Sequence, residues 1–296
     1  MIDKELASKI RRIQIKTGKN VSSTFAGEYT SAFKGHGMEF EEVRAYQPGD
    51  DIKSIDWNVT ARTGEPYIKR FREERELTVL LMVDLSASGN FGSTGKTRND
   101  VAAEICAVLS FSAIRNNDRV GLMVFTDLVE TYIAPAKGMT HIMRIIREIL
   151  AFNPKGKGTS IEKALNYLAK VQRKNAVVFL ISDFFDQGYE KSLKIMAEKH
   201  DLVALSISDP LERELPDCGL VTIRDSETGY FRTIDSSSKI VRREWKKAAY
   251  YRIETLRKNM VSMGMDHVHL DTGSDWIHSL SLFFMKRQHR IEAGRS

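Results

Sequence analysis

Cysteine is almost absent: Cys106 and Cys218 are the two in 296 residues. Two are too few for a disulfide framework, and Cys106 falls inside an apolar helical pattern, so a reducing, cytoplasmic setting is expected. No stretch approaches the roughly 18 consecutive apolar residues of a membrane-spanning helix. The opening Met1-Ile2-Asp3-Lys4-Glu5 has no apolar core of the kind a secretory signal carries. Internal repeats and low-complexity tracts are missing as well. The seven histidines form no H-E-x-x-H or similar pairing, and no Ser-His-Asp arrangement can be named from chain order alone. Neither sign of charge dominates locally. The net +6 is spread among acids, as in Phe71-Arg72-Glu73-Glu74-Arg75-Glu76. The densest basic cluster, Arg242-Arg243-Glu244-Trp245-Lys246-Lys247, reads as a solvated helix face, so nucleic acid is not expected as a partner.

What is present suffices for one sizeable core or a core with a smaller annex, since 42% of the chain is hydrophobic. Residues 1–19 carry Ile2, Leu6, Ile10 and Ile13 at helical spacing. Up to about residue 76 the chain is then polar, with turn signals at Gly35-His36-Gly37, Pro48-Gly49-Asp50 and Thr63-Gly64-Glu65-Pro66. That stretch, 1–76, is expected to be an irregular, partly β segment lying against a main domain at 77–290. From Leu77 onward strands alternate with helices. The run Leu77-Thr78-Val79-Leu80-Leu81-Met82-Val83 has the continuous apolarity of a strand buried on both faces. Further strands are expected at 120–126, 176–181, 202–207 and 267–270, with a short edge at 131–133. Helices are expected at 98–115, 139–151, 160–171, up to 199, 238–263 and from 274. A polar hairpin over 220–234 should turn at Glu227-Thr228-Gly229. The alternation predicts an α/β fold: a doubly wound, mostly parallel sheet with helices on both faces.

In such a sheet ligands sit beyond the carboxyl ends of the strands, at the switch in strand order. After the first strand comes Asp84-Leu85-Ser86-Ala87-Ser88, and after the strand at 176–181 comes Ser182-Asp183. The helix at 160 is preceded by Lys157-Gly158-Thr159-Ser160. These loops offer two carboxylates and at least three hydroxyls, with no His or Cys. That is a donor set for a hard divalent cation such as Mg²⁺ or Mn²⁺. The alternation in Asp-x-Ser-x-Ser lets a turning loop aim its first, third and fifth side chains at one centre. Two carboxylates roughly neutralise the ion, whereas hydroxyls are weak donors, so the site would stay electrophilic toward an anionic oxygen from outside. The bland alternative is a capping Asp and turn-forming serines, with Thr159 part of a helix cap.

The pattern Asp84/Ser86/Ser88, Thr159, Asp183 resembles the metal-ion-dependent adhesion site of von Willebrand factor A domains. The resemblance implies that the serines coordinate the ion, Thr159 joins directly or through water, and an Asp or Glu of a partner completes the shell. A second resemblance runs from about Ser31 to Ser88. Its motifs are Gly35-His36-Gly37-Met38-Glu39-Phe40-Glu41-Glu42-Val43-Arg44, Tyr46-Gln47-Pro48-Gly49-Asp50-Asp51-Ile52, Ile55-Asp56-Trp57, Ala61-Arg62 and Phe71-Arg72-Glu73-Glu74-Arg75. These are similar to the bacterial family called domain of unknown function 58, which joins such a segment to a von Willebrand factor A–like domain. The family resemblance implies a non-enzymatic interaction protein, a MoxR-type AAA+ ATPase or an acidic client as partner, and roles in protein assembly, maturation or stress. After Ser88 many relatives have Met where this chain has Gly89-Asn90-Phe91-Gly92. Arg44, Asp50, Asp51, Asp56, Trp57 and Arg62 are expected to pin the segment through ion pairs and a buried Trp, the alternative being a docking surface.

Two enzyme readings compete. Asn90-Phe91-Gly92-Ser93-Thr94-Gly95-Lys96-Thr97 nearly spells a nucleotide-binding P-loop, but Asn90 stands where Gly is required and the loop starts far from the strand end. A metal-dependent hydrolase would need a general base and a substrate cleft besides its ion.

Overall fold

The computed structural model describes residues 23–33, 38–51, 54–73, 76–156, 158–224 and 229–294. The helix expected at 1–19, the Gly35-His36-Gly37 turn, Lys157 and most of the Glu227-Thr228-Gly229 turn lie outside them. The elements in chain order begin with α1 (Ser23–Phe33), β1 (Met38–Ala45), α2 (Trp57–Thr63) and β2 (Tyr67–Glu73). Next come β3 (Thr78–Asp84), α3 (Arg98–Arg115), β4 (Arg119–Phe125), β5 (Val129–Ala136), α4 (Met139–Leu150) and α5 (Ile161–Val171). They continue with β6 (Val177–Ser182), α6 (Glu190–Lys199), β7 (Asp201–Ser208) and the one-turn α7 (Pro210–Arg213). Last are β8 (Leu220–Arg224), β9 (Phe231–Asp235), α8 (Lys239–Ser262), β10 (Asp266–Asp271) and α9 (Trp276–Glu292).

Among the described residues, 23–32 with 77 onward form one compact unit and 33–76 another. The larger unit is built on a six-stranded sheet ordered β10-β7-β6-β3-β4-β5. Every neighbouring pair is parallel except β4–β5. The strands read as uninterrupted apolar runs because both faces are covered: β6 is buried at all six positions and β3 from Val79 to Asp84. Leu80 and Met82 of β3, Val178 and Leu180 of β6, and Ala204 of β7 point into one core with Leu165 and Leu168 of α5, Leu193 of α6 and Met260 of α8. Burying such a side chain fully contributes about 1.5–3 kcal/mol. Helix α3 covers the other face with residues such as Val101, Ile105 and Leu109. It begins where a capping box forms, the Thr97 hydroxyl accepting from Asp100 N while Asp100 accepts from Thr97 N. This is the mostly parallel, doubly wound α/β architecture anticipated from the alternation. Helix α1, which the sequence did not announce, packs Phe25 and Tyr29 edge-on against Phe284 of α9 at 5.4 and 5.8 Å between ring centres.

The smaller unit holds the antiparallel pair β1–β2, with α2 between them in sequence. Its charged residues act locally. Arg44 grips Asp50 through two hydrogen bonds of 2.9 and 2.7 Å. Asp56 caps α2 by accepting from Asn58 N and Val59 N. Trp57 is not the buried anchor expected: it is the first residue of α2 and 67% exposed. A residue-type average does not foresee that a first-turn position can point the indole to solvent.

Candidate metal centre

Strand β3 is flanked by β4 and β6, and the chain crosses from one side to the other around it. Its carboxyl end is therefore the switch point of the sheet. Asp84 is the last residue of β3, level with Phe125 of β4. The chain turns immediately because Asp84 Oδ1 accepts from Ser86 N at 3.0 Å, an Asx turn. A 3₁₀ turn over Ala87–Asn90 then carries Ser88 round to the same side. Ser182, at the end of β6, donates to Asp84 Oδ2 at 2.7 Å and locks the carboxylate from the neighbouring strand.

The oxygens form a chain. Ser86 Oγ and Ser88 Oγ are 3.1 Å apart, and Ser88 Oγ donates to Asp183 Oδ2 at 2.8 Å. The structure thus brings together four of the five residues read from the sequence: Asp84, Ser86, Ser88 and Asp183 line one small cavity of about 20 Å³. That is room for a single water-sized or ion-sized occupant. Thr159 is partly buried and is not among the lining residues. Its neighbours are tied across the strand ends, Ser160 N donating to Thr126 O at 2.9 Å and Ile161 N to Asp186 Oδ2 at 2.7 Å.

Three lining or adjoining residues escaped the sequence reading. Arg98, the first residue of α3, is buried. Its guanidinium meets Asp183 Oδ2 at 3.1 Å and Glu212 Oε1 of α7 at 2.8 Å, and also donates to the Ser88 carbonyl. Applying the strand-end rule to β7 as well would have led to Glu212, four residues past Ser208 in the sequence. Asn99 also lines the cavity. Its Oδ1 is buried without a hydrogen-bond partner among the described residues. The departure at Gly89 has its reason here: a Cβ at Gly89 would stand 2.0 Å from Asn99 Oδ1, so a larger residue fits only if Asn99 moves.

The electrostatics are unbalanced. Asp84 is pushed well above the usual carboxylate range, first by burial and then by the nearby charge of Asp183. Glu212 is raised by burial, against the pull of Arg98. Arg98 pairs directly with two carboxylates, Asp183 and Glu212, and the charge of Arg252 acts on the same two. Hydroxyl and carboxylate oxygens 2.8 and 3.1 Å apart match the edge of about 3 Å that an octahedron with 2.0–2.1 Å bonds requires. With the orphaned Asn99 Oδ1, the donor set fits a small divalent cation. No cluster of three His, Cys, Asp or Glu able to hold a metal occurs among the described residues, so any ion here must use the hydroxyls.

The family model described as protein of unknown function DUF58 matches residues 42–254, which include every residue of this cavity. The chain belongs to that family. A Mycobacterium bovis relative, Mb1516, is 28% identical over 295 residues, covering 99% of this chain and 93% of its own. The Mycobacterium tuberculosis protein Rv1480 matches equally, and MAV169 of Mycobacterium avium is 29% identical over 54% of this chain. Among solved structures, an aerotolerance-related membrane protein of Bacteroides fragilis aligns at TM-score 0.48 and 15% identity, covering 71% of this chain and 99% of its own. BatB of Bacteroides thetaiotaomicron aligns at 0.46 and 17%, covering 72% and 99%. No helix of the described residues is long and apolar enough to cross a membrane.

Proposed function

We propose that this DUF58 chain is a metal-dependent interaction module. Asp84, Ser86, Ser88 and Asp183, with Thr159 contributing directly or through water, would hold Mg²⁺ or Mn²⁺ and present it to an Asp or Glu of a partner protein. The observation that carries the reading is the oxygen cluster itself: two carboxylates and two hydroxyls around one ion-sized cavity at the switch point. When bound, the ion supplies a Lewis-acidic site that takes a carboxylate oxygen from outside. The chain's own residues preorganise that capture. Ser182 and Ser86 N orient Asp84, Ser88 spaces Asp183 from Ser86, and Arg98 offsets part of the surplus charge. The partner we assign is a MoxR-type AAA+ ATPase or a client in assembly, maturation or stress response. Cys106, buried, and Cys218, exposed, are both free thiols, which accords with the cytoplasmic setting we assign.

The nucleotide-binding alternative loses support from the contacts of its motif. Lys96 is bonded to both carboxylate oxygens of Glu104 at 2.7 and 2.8 Å, and Ser93 is held by Asp209. A hydrolase would also need a substrate cleft, and the cavity of about 20 Å³ has room for a single ion-sized occupant. The test is retention of a partner on immobilised chain with Mg²⁺, with EDTA and with Asp84→Ala. Retention with Mg²⁺ and intact Asp84 alone supports the reading; equal retention in all three conditions defeats it.

A further inference from the structure

Helix α8 is unlike the rest of the chain. In 24 residues it carries eight lysines and arginines against two glutamates, a net +6. That equals the net charge of the whole protein, leaving 37 residues of each sign elsewhere. The helix is about 36 Å long at 1.5 Å per residue, yet only Ala249 and Met260 are buried. Opposite those two runs a single stripe: Ile240, Arg243, Lys247, Tyr250, Tyr251 and Lys258 fall within about 100° of arc at 3.6 residues per turn, an arc that Val261 and the ion pair Glu254–Arg257 share. Ile240, Tyr250 and Tyr251 are 67–73% exposed. A face that only solvates a helix is charged or polar; this one interleaves large apolar side chains with cations. The composition, Tyr and Arg among aliphatics, is that of protein interfaces. The basic cluster read from sequence as a solvated face is exposed, the Arg243, Lys246 and Lys247 side chains standing 64–66% open.

We propose that this stripe of α8 is a docking surface for an acidic protein surface. Charge complementarity fixes the sign of the partner: the stripe carries Arg243, Lys247, Arg257 and Lys258 against Glu254, whereas Arg242 and Lys246 of the same helix are engaged by Asp217 and Glu214. The spacing favours discrete carboxylates over a phosphate backbone. Glu254 sits inside the stripe beside Arg257, and Glu244 borders it at 3.5 and 3.1 Å from Arg243 and Lys247, so negative groups interrupt the cations where a continuous polyanion would be repelled. The inference rests on the interaction-module reading but uses a surface separate from the cavity, so the two can fail independently.

The test uses the full chain and a fluorescein-labelled peptide of Glu, Asp and Leu. Its controls are the same peptide with Gln and Asn, a single-stranded DNA oligonucleotide, and vesicles of equal phosphatidylserine and phosphatidylcholine. The acidic peptide should bind at least about tenfold more tightly than its amide counterpart. Arg243→Glu with Lys247→Glu should remove at least about tenfold of that affinity. Tyr250→Ser with Tyr251→Ser, which leaves the charge unchanged, should cost about fivefold. All these arms are run in EDTA, so that no ion at Asp84 can capture a carboxylate of the peptide. Equal binding of the two peptides, tighter binding of DNA or vesicles, or wild-type affinity in the tyrosine variant would overturn the proposal. Peptide binding that is absent in EDTA, appears only with Mg²⁺ and is kept in the α8 variants would overturn the proposal, moving the contact to the cavity and sustaining only the metal reading.

Discussion

Two hydroxyl-rich stretches of the one connection between β3 and α3 end in opposite conditions. The first, Asp84 to Ser88, turns its oxygens into a cavity and leaves charge unbalanced there. The second, Gly92 to Thr97, looks like a phosphate loop, but its side chains are consumed internally. Ser93 bonds Asp209 through both N and Oγ, Thr94 donates to Thr272 O, Lys96 pairs with Glu104, and Thr97 caps α3. Asp209 is held below the usual carboxylate range by hydrogen bonds from Ser93, Leu211 and Thr272, which outweigh its burial. Asp84 is shifted the other way. A motif is thus better judged by the valence its side chains have left over than by its spelling.

The comparison can be broken at several points. The largest effect belongs to Arg98. Arg98→Ala removes the direct ion pairs of the buried Asp183 and Glu212, leaving them only the longer-range attraction of Arg252, and should cost about 3–5 kcal/mol in a urea unfolding series. A loss under about 1 kcal/mol would show that the guanidinium is not what tolerates the carboxylates. Next is Asp209→Ala, which orphans the Ser93, Leu211 and Thr272 donors and should cost about 2–3 kcal/mol, without changing divalent-ion affinity. A change in that affinity would mean the second loop is not closed off from the first.

The pH dependence sharpens the contrast. Asp84, with its folded pKa raised, contributes stability that is present below its unfolded pKa near 3.8 and lost as pH rises toward the folded value. Asp209, with its folded pKa depressed, contributes stability present above its unfolded value and lost as pH falls. In metal-free buffer, Asp84→Asn should therefore flatten the decline of stability on the alkaline side of about pH 4. Asp209→Asn should instead flatten the decline on the acid side. Thermal melts across pH of the three chains would show both slopes, and identical slopes would erase the distinction. The smallest effect is expected at Lys96. Lys96→Ala removes a partly exposed ion pair, should cost no more than about 1 kcal/mol, and should leave ATP titrations unchanged. A weakened ATP response would reopen the phosphate-loop reading.

The sheet was legible because a strand buried on both faces has no alternation to blur it. The runs at Leu80–Val83 and Val177–Ile181 could be read as strands on apolarity alone. Helix α3 was legible to the residue, its start marked by the Thr97–Asp100 box. Helix α1 was not. Its buried residues are Phe25, Ala26, Tyr29, Ala32 and Phe33 among glycine and polar neighbours, and its packing partner Phe284 lies some 250 positions away in the sequence. In the candidate site, the residues within one loop or at a strand end were found. Arg98 and Glu212 were missed because their pairing joins positions far apart in the chain, and no local pattern announces it. Trp57 was misplaced by reasoning from residue type where position in the helix decides.

The central claim is that the Asp84 cavity takes a divalent cation, and calorimetric titration of Mg²⁺ and Mn²⁺ into the metal-free chain tests it most directly. One binding site per chain is expected, lost in Asp84→Ala while that variant still folds, and retained in Asp209→Ala. No binding to the folded wild type, or binding unaffected by Asp84→Ala, would contradict the account.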